Sequence, residues 1–223
     1  MKSKILLESW RSFINENTDL SPITGEEVEV IGLVPMSAKP FHEGHMSLIR
    51  KASDECNRVI VYVSTSDRKK KGEFPIFGED MKYIWENILE DSIKDKYPDV
   101  GFEYGGSPVG KVYEKLKEAN NIQDESVYRV YSDIEDTAKR FPAKYKELYF
   151  GDLYNRGKVI FPAEESPESF TRGKGSADIS GTTMRSYLSN GQEDKFLFLY
   201  NLPDEIDQSG KEEIFNILSR KLN

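Results

Sequence analysis

Histidine is scarce in this chain: 223 residues contain two. Cysteine occurs once, at Cys56, so no internal disulfide can form. At the end of an amphipathic stretch, Cys56 reads as a core residue rather than a nucleophile. Long apolar runs are missing as well. Mean hydropathy is -0.62 and charged residues make up 31%, and no stretch approaches a membrane span, so no membrane partner is expected. Glu8, Arg11 and Glu16 interrupt the opening residues, which excludes a signal peptide and implies a cytoplasmic location. Basic excess is absent too. With 39 acidic against 31 basic residues and a net charge of -8, nucleic acid is argued against as a partner, and any polyanion site must be local.

Both histidines fall in one stretch, Pro40-Phe41-His42-Glu43-Gly44-His45. The apolar residues Val28, Val30, Ile31 and Leu33 precede it as a buried strand. Leu48, Ile49, Ala52 and Cys56 follow at helical spacing, which predicts a helix from about 44 to 55. The motif therefore occupies a strand-to-helix turn. There Gly44 would let the backbone approach a ligand, and the new helix's free amides would favour an anion. His42 and His45 lie within one turn of each other, so both imidazoles can reach a single phosphate. The alternative is two surface histidines beside a helix start.

Length allows one α/β domain over 1–223, with a core at 28–190, an amphipathic helix over 3–15 (Leu6, Trp10, Phe13, Ile14) and a helical tail over 192–222. A turn is expected over 21–25. The run Val59-Ile60-Val61-Tyr62-Val63 reads as a central parallel strand buried on both faces. It ends in Ser64-Thr65-Ser66-Asp67-Arg68-Lys69-Lys70-Lys71. This loop would share the carboxyl rim of the sheet with the histidines, either as a phosphate contact or as a solvated charge run. Met81, Ile84, Trp85, Ile88 and Leu89 predict a helix that starts with Glu79 and Asp80 and stops before Pro98. Strands are expected at 100–104, 127–131 and 159–161. Ser107-Pro108 opens a helix as cap and first position, and Pro142 breaks the helical segment 134–154.

A second motif, Ile179-Ser180-Gly181-Thr182-Thr183-Met184-Arg185, follows the Gly- and charge-rich piece 171–176, which is expected to be a loop that closes with Arg172 and Lys174 over bound nucleotide. Ser180, Thr182 and Thr183 can cap a helix and offer hydroxyls to an anion, and Arg185 can fork onto phosphate oxygens. An ordinary capped helix would look the same on its own.

Together the two motifs resemble the nucleotidyltransferase superfamily that contains nicotinamide mononucleotide adenylyltransferases and phosphocholine-type cytidylyltransferases. Pro-Phe-His-x-Gly-His is similar to the archaeal-type adenylyltransferases, and Ser-Thr-Ser-Asp-Arg after the second strand resembles nucleotidyltransferase-like proteins of tailed phages. The resemblance spans about 28–188. It implies a Rossmann-like α/β fold of the HUP type, a parallel sheet sandwiched by helices. The implied activity is transfer of a nucleoside monophosphate from ATP or CTP to a phosphorylated small molecule, as in NAD biosynthesis, with release of pyrophosphate. His42, His45, Lys39 and Arg185 would be catalytic. Met36, Ser37, Gly44, Asp133, Ser180, Thr182 and Thr183 would meet the nucleotide, and Ser64, Asp67, Arg68 and Lys69 the acceptor. No aspartate pair for a resident metal is visible, so Mg2+ would arrive on the triphosphate.

The sequence departs from the family where Gly-Arg-Phe-Gln usually precedes the histidine motif. Here Met36, Ser37, Ala38 and Lys39 stand, and the resemblance implies that Lys39 would take the place of the missing cation. Gly181 with Met184 and Arg185, where the cytidylyltransferases usually end in Ser-Thr-Thr, favours adenylyl transfer. Cytidylyl transfer to a phosphorylated alcohol or sugar is the competing enzymatic reading. A non-catalytic nucleotide- or nucleic-acid-binding module using residues 68–71 is the competing non-enzymatic one. A homo-oligomer is compatible with the sequence.

Overall fold

A computed structural model describes residues 28–170, 179–200 and 205–220. The expected helix over 3–15, the turn over 21–25 and the loop over 171–176 lie outside them. Five parallel strands form one sheet in the order β3-β2-β1-β4-β5. They are β1 (Val30–Met36), β2 (Arg58–Ser64), β3 (Val100–Gly105), β4 (Val127–Val130) and β5 (Val159–Ile160). β1 is central: Val34 pairs with Val61 of β2 and Leu33 with Val130 of β4. The chain winds outward from β1 in both directions, so the order reverses between β1 and β4. In such sheets a crevice opens beyond the carboxyl ends of the strands at that reversal.

Alternation along β1 assigns its side chains to two cores. Val34 and Met36 join the core that contains Met46, Ile49 and Ala52 of α1 (Glu43–Glu55). Ile31 and Leu33 join the opposite core. There Val112 and Leu116 of α4 (Pro108–Asn121) meet Phe150 and Leu153 of α6 (Ala143–Asn155). The sheet is therefore covered on both sides, which makes the fold Rossmann-like α/β. The break predicted at Pro142 separates α5 (Ile134–Arg140) from α6. Ser107 caps α4 by accepting from the Gly110 amide at 3.1 Å, ahead of Pro108 in its first turn.

The helix predicted after residue 79 is three consecutive pieces: α2 (Gly78–Ile84), a π-helical turn (Trp85–Leu89) and α3 (Glu90–Lys96). Met81, Trp85, Leu89 and Ile93 are all buried and spaced by strict fours. In a regular α-helix each such step precesses by about 40°. One wider turn cancels part of that drift and keeps the row on the core. After α7 (Pro162–Glu165) and a 3-10 turn (Pro167–Phe170), the helices α8 (Gly181–Ser189), α9 (Glu193–Leu199) and α10 (Gln208–Ser219) pack Met184, Phe196, Ile214 and Phe215 into the α1-side core. Among the described residues no helix is long and apolar enough to cross a membrane.

Candidate active site

The chain leaves β1 at Met36 and reverses through Ala38, whose φ of 46° lies in the left-handed region. A non-glycine residue rarely adopts that conformation outside a functional turn. Lys39 follows it and is 5% exposed. Its Nζ donates to Ser64 Oγ, at the end of β2, at 2.8 Å. Burial pulls the Lys39 ammonium down to about 8; the Arg68 charge adds to this and Asp67 opposes it.

His42 is the residue before α1, and its Nδ1 accepts from the Gly44 amide at 3.2 Å. That bond gives the neutral ring its proton at Nε2, so the far edge of His42 is a donor. A Cβ on Gly44 would stand 3.1 Å from His42 Cε1 and 3.2 Å from Nδ1. The space a Cβ on Gly44 would take is thus bounded by the motif's own histidine ring. The His45 ring lies 3.9 Å from the His42 ring, centroid to centroid. It also stacks on Phe41 at 5.8 Å, which is fully buried and set edge-on against Trp85 of the π-helical turn. The imidazole pair therefore rests on an apolar floor.

Ser180 caps α8 as predicted, accepting from the Thr183 amide at 3.1 Å. One turn in, Arg185 is 4% exposed. Its Nη1 donates to the backbone carbonyl of Lys39 at 2.8 Å, and its Nη2 donates to Thr182 Oγ1 at 3.0 Å. The two motifs, 146 residues apart, therefore meet directly. A Cβ on Gly181 would fall 3.0 Å from Arg185 Nη1 and 3.3 Å from the Lys39 carbonyl oxygen. Glycine there gives the guanidinium its route to the first motif, a role that sequence reasoning missed.

The loop after β2 is tied to itself. Asp67 Oδ1 accepts from the Gly78 amide at 2.8 Å, Lys69 pairs with Asp67 at 2.6 Å, and Lys69 lies over the Phe77 ring. Arg68 is forked on Glu73. At the sheet reversal, an open cleft of about 250 Å3 is lined by Met36, Ser37, Ser64, Ser107, Ser132 and Arg140, among others. Met36, Ser37 and Ser64 were expected at the site from the sequence; Ser107 was expected only as a helix cap, and Ser132 and Arg140 were not expected there. Asp67, Arg68 and Lys69 do not line it. Asp133 caps α5 by accepting from the Asp136 amide at 2.8 Å. Among the described residues no group of three or more His, Cys, Asp or Glu side chains could hold a metal ion.

Residues 31–77 match the family model of the citrate lyase ligase C-terminal domain. A segment of 37 residues is 57% identical to the pantothenate synthetase of Rubrobacter xylanophilus, covering 17% of this chain and 12% of that protein. A bifunctional NMN adenylyltransferase/ADP ribose pyrophosphatase from Francisella tularensis superposes with a TM-score of 0.49 at 15% identity, over 88% of this chain and 53% of that one. The chain thus spans a small part of the first relative and about half of the second. Together with the two motifs, the segment matches support the HUP class of nucleotidyltransferases as the superfamily of this chain.

Proposed function

We propose that this protein transfers AMP from ATP to a phosphorylated small-molecule acceptor, with nicotinamide mononucleotide as the first acceptor to test, and releases pyrophosphate. The observation that carries the reading is the bond from Arg185 Nη1 to the Lys39 carbonyl. It gathers two anion-suited helix starts, two imidazoles and a buried ammonium around one rim.

In the proposed reaction an acceptor phosphate oxygen attacks the α-phosphorus of ATP. The bond to the β-phosphate bridging oxygen breaks, and its electron pair leaves with pyrophosphate. No covalent link to the protein is needed. The chain's task is then positioning and charge stabilisation. His42 offers Nε2–H, Lys39 its ammonium and Arg185 its guanidinium, while Mg2+ comes with ATP as part of the substrate. The cleft beside Ser107 and Arg140 is the proposed seat of the acceptor.

Pyrophosphate release is the test, run with ATP and with CTP against a panel of phosphorylated acceptors. Release with ATP supports the proposal. Release with CTP alone replaces it with cytidylyl transfer, and none with any acceptor favours a binding module. With the productive pair, His45→Ala is expected to lower kcat roughly 100-fold while leaving the melting temperature near that of the parent, as loss of one preorganised donor does. An active His45→Ala variant would remove that role.

A further inference from the structure

Glu73, in the loop between β2 and α2, serves no step of the proposed reaction, yet it sits on two arginines. Its Oε2 accepts from Arg68 Nε at 2.9 Å and its Oε1 from Arg68 Nη2 at 3.2 Å. Arg185 Nη2 stands 2.9 Å from the same Oε2. We propose that Arg68 and Arg185 form a polyphosphate site in which Glu73 is the resident stand-in for a phosphate, displaced when the triphosphate of a nucleotide or free pyrophosphate binds. The inference rests on the reading that Arg185 meets the triphosphate, and adds to it a second arginine and a competitor built into the chain.

Three observations support it. A guanidinium fork fits carboxylate and phosphate oxygens alike, so one can replace the other without rebuilding the site. Arg185 Nε is buried with no hydrogen-bond partner. A donor left in that state is costly, and a phosphate offers more acceptor oxygens than a carboxylate. Finally, the loop is fastened at its base and not by Glu73 alone. Arg68 and Ile76 exchange backbone hydrogen bonds of 2.8 and 3.0 Å. Gly78 approaches Thr65 so closely that a Cβ would fall 1.7 Å from its carbonyl oxygen. The tip reverses through Gly72 at φ 82°, with a bond from the Glu73 amide to the Lys70 carbonyl at 3.1 Å. Glu73 can therefore withdraw with the tip while the base keeps Arg68 in place. Partial burial opposes ionisation of Glu73, but the Arg68 hydrogen bond and the Arg185 and Arg68 charges hold its carboxyl below the usual range. At neutral pH the competitor is present as an anion.

The test is titration calorimetry of the full chain with inorganic pyrophosphate and with ATP, comparing the parent with Glu73→Gln, Glu73→Asp and Arg68→Ala. Removing the competing charge is expected to tighten pyrophosphate binding about tenfold in Glu73→Gln, following the arithmetic of an occupied site. Glu73→Asp should fall between, and Arg68→Ala should bind more weakly than the parent. Limited trypsin digestion at Lys69, Lys70 and Lys71 gives a second measure that needs no variant: pyrophosphate should accelerate cleavage there in the parent. A parent that binds pyrophosphate no less tightly than Glu73→Gln, with cleavage unchanged by ligand, overturns the inference and leaves the proposed function standing. Absence of binding to every variant overturns both.

Discussion

The two motif helices solve one problem in different ways. α1 and α8 each begin with a side chain that satisfies the helix's own amides, and each has a glycine whose missing Cβ leaves room for a functional group. In α1 the capping residue is itself the proposed donor, because His42 turns Nδ1 inward to the Gly44 amide, which places the neutral ring's proton on Nε2. In α8 the tasks are divided: Ser180 caps, and Arg185, one turn on, reaches across to Lys39. A shared cap couples function to helix stability. A divided one allows either to change alone.

The largest effect that would sharpen this contrast is expected from Arg185→Ala. It should lower kcat/KM for ATP by at least about 100-fold, and stability should fall by about 1–3 kcal/mol because the buried Lys39 carbonyl loses its donor. Arg185→Lys keeps the charge without the fork and should lie between. Ser180→Ala offers the complementary check only on helix stability. If Arg185→Ala consumed ATP like the parent, α8 would be a capped helix and nothing more.

His42 permits a finer separation. His42→Ser keeps an N-cap acceptor, so its denaturant midpoint should stay near the parent's while turnover drops about 100-fold. His42→Ala should lose the same activity and in addition about 1 kcal/mol of stability. Recovery of activity in His42→Ser would show that capping is the whole contribution of the first motif, and the contrast would collapse.

The smallest and most gradual effect concerns Lys39, which touches both halves through its carbonyl and its ammonium. If the proposed reaction uses the charged form, activity should decline as pH rises through about 8. Stability should move the other way. Between about 8 and the ordinary value of 10.5, the unfolded chain holds a proton the folded chain has released, so folding gains with rising pH. Lys39→Met should remove this contribution to both slopes; urea titrations and rate profiles from pH 7 to 10 would reveal it.

What could be read from the sequence was local. Helix starts at Ser107-Pro108 and Ser180, the break at Pro142 and the β-branched run 59–63 each depend on neighbouring residues, and each lies where it was expected. Strand and helix ends moved by a residue or two, as hydrogen bonding at termini allows. The π-helical turn was missed because a spacing of four suits a regular helix almost as well. The contacts that make the site were not legible for a different reason. Arg185 with the Lys39 carbonyl, Glu73 with both arginines, and Arg140 with Ser64 along one cleft join residues far apart in the chain. Only the winding of the sheet brings them together. The glycines at 44 and 181 were visible, but the groups filling the space beside them were not.

Because the chain has two histidines and both rings lie 3.9 Å apart at the rim, the site carries its own spectroscopic label. In a nitrogen-15 spectrum of the imidazoles, every signal from this chain's side chains comes from His42 or His45. One of them should show the Nε2–H tautomer that the Gly44 amide imposes. Titrating a nucleotide, an acceptor or a proton against those two rings would read the site directly in the natural sequence, with no probe attached.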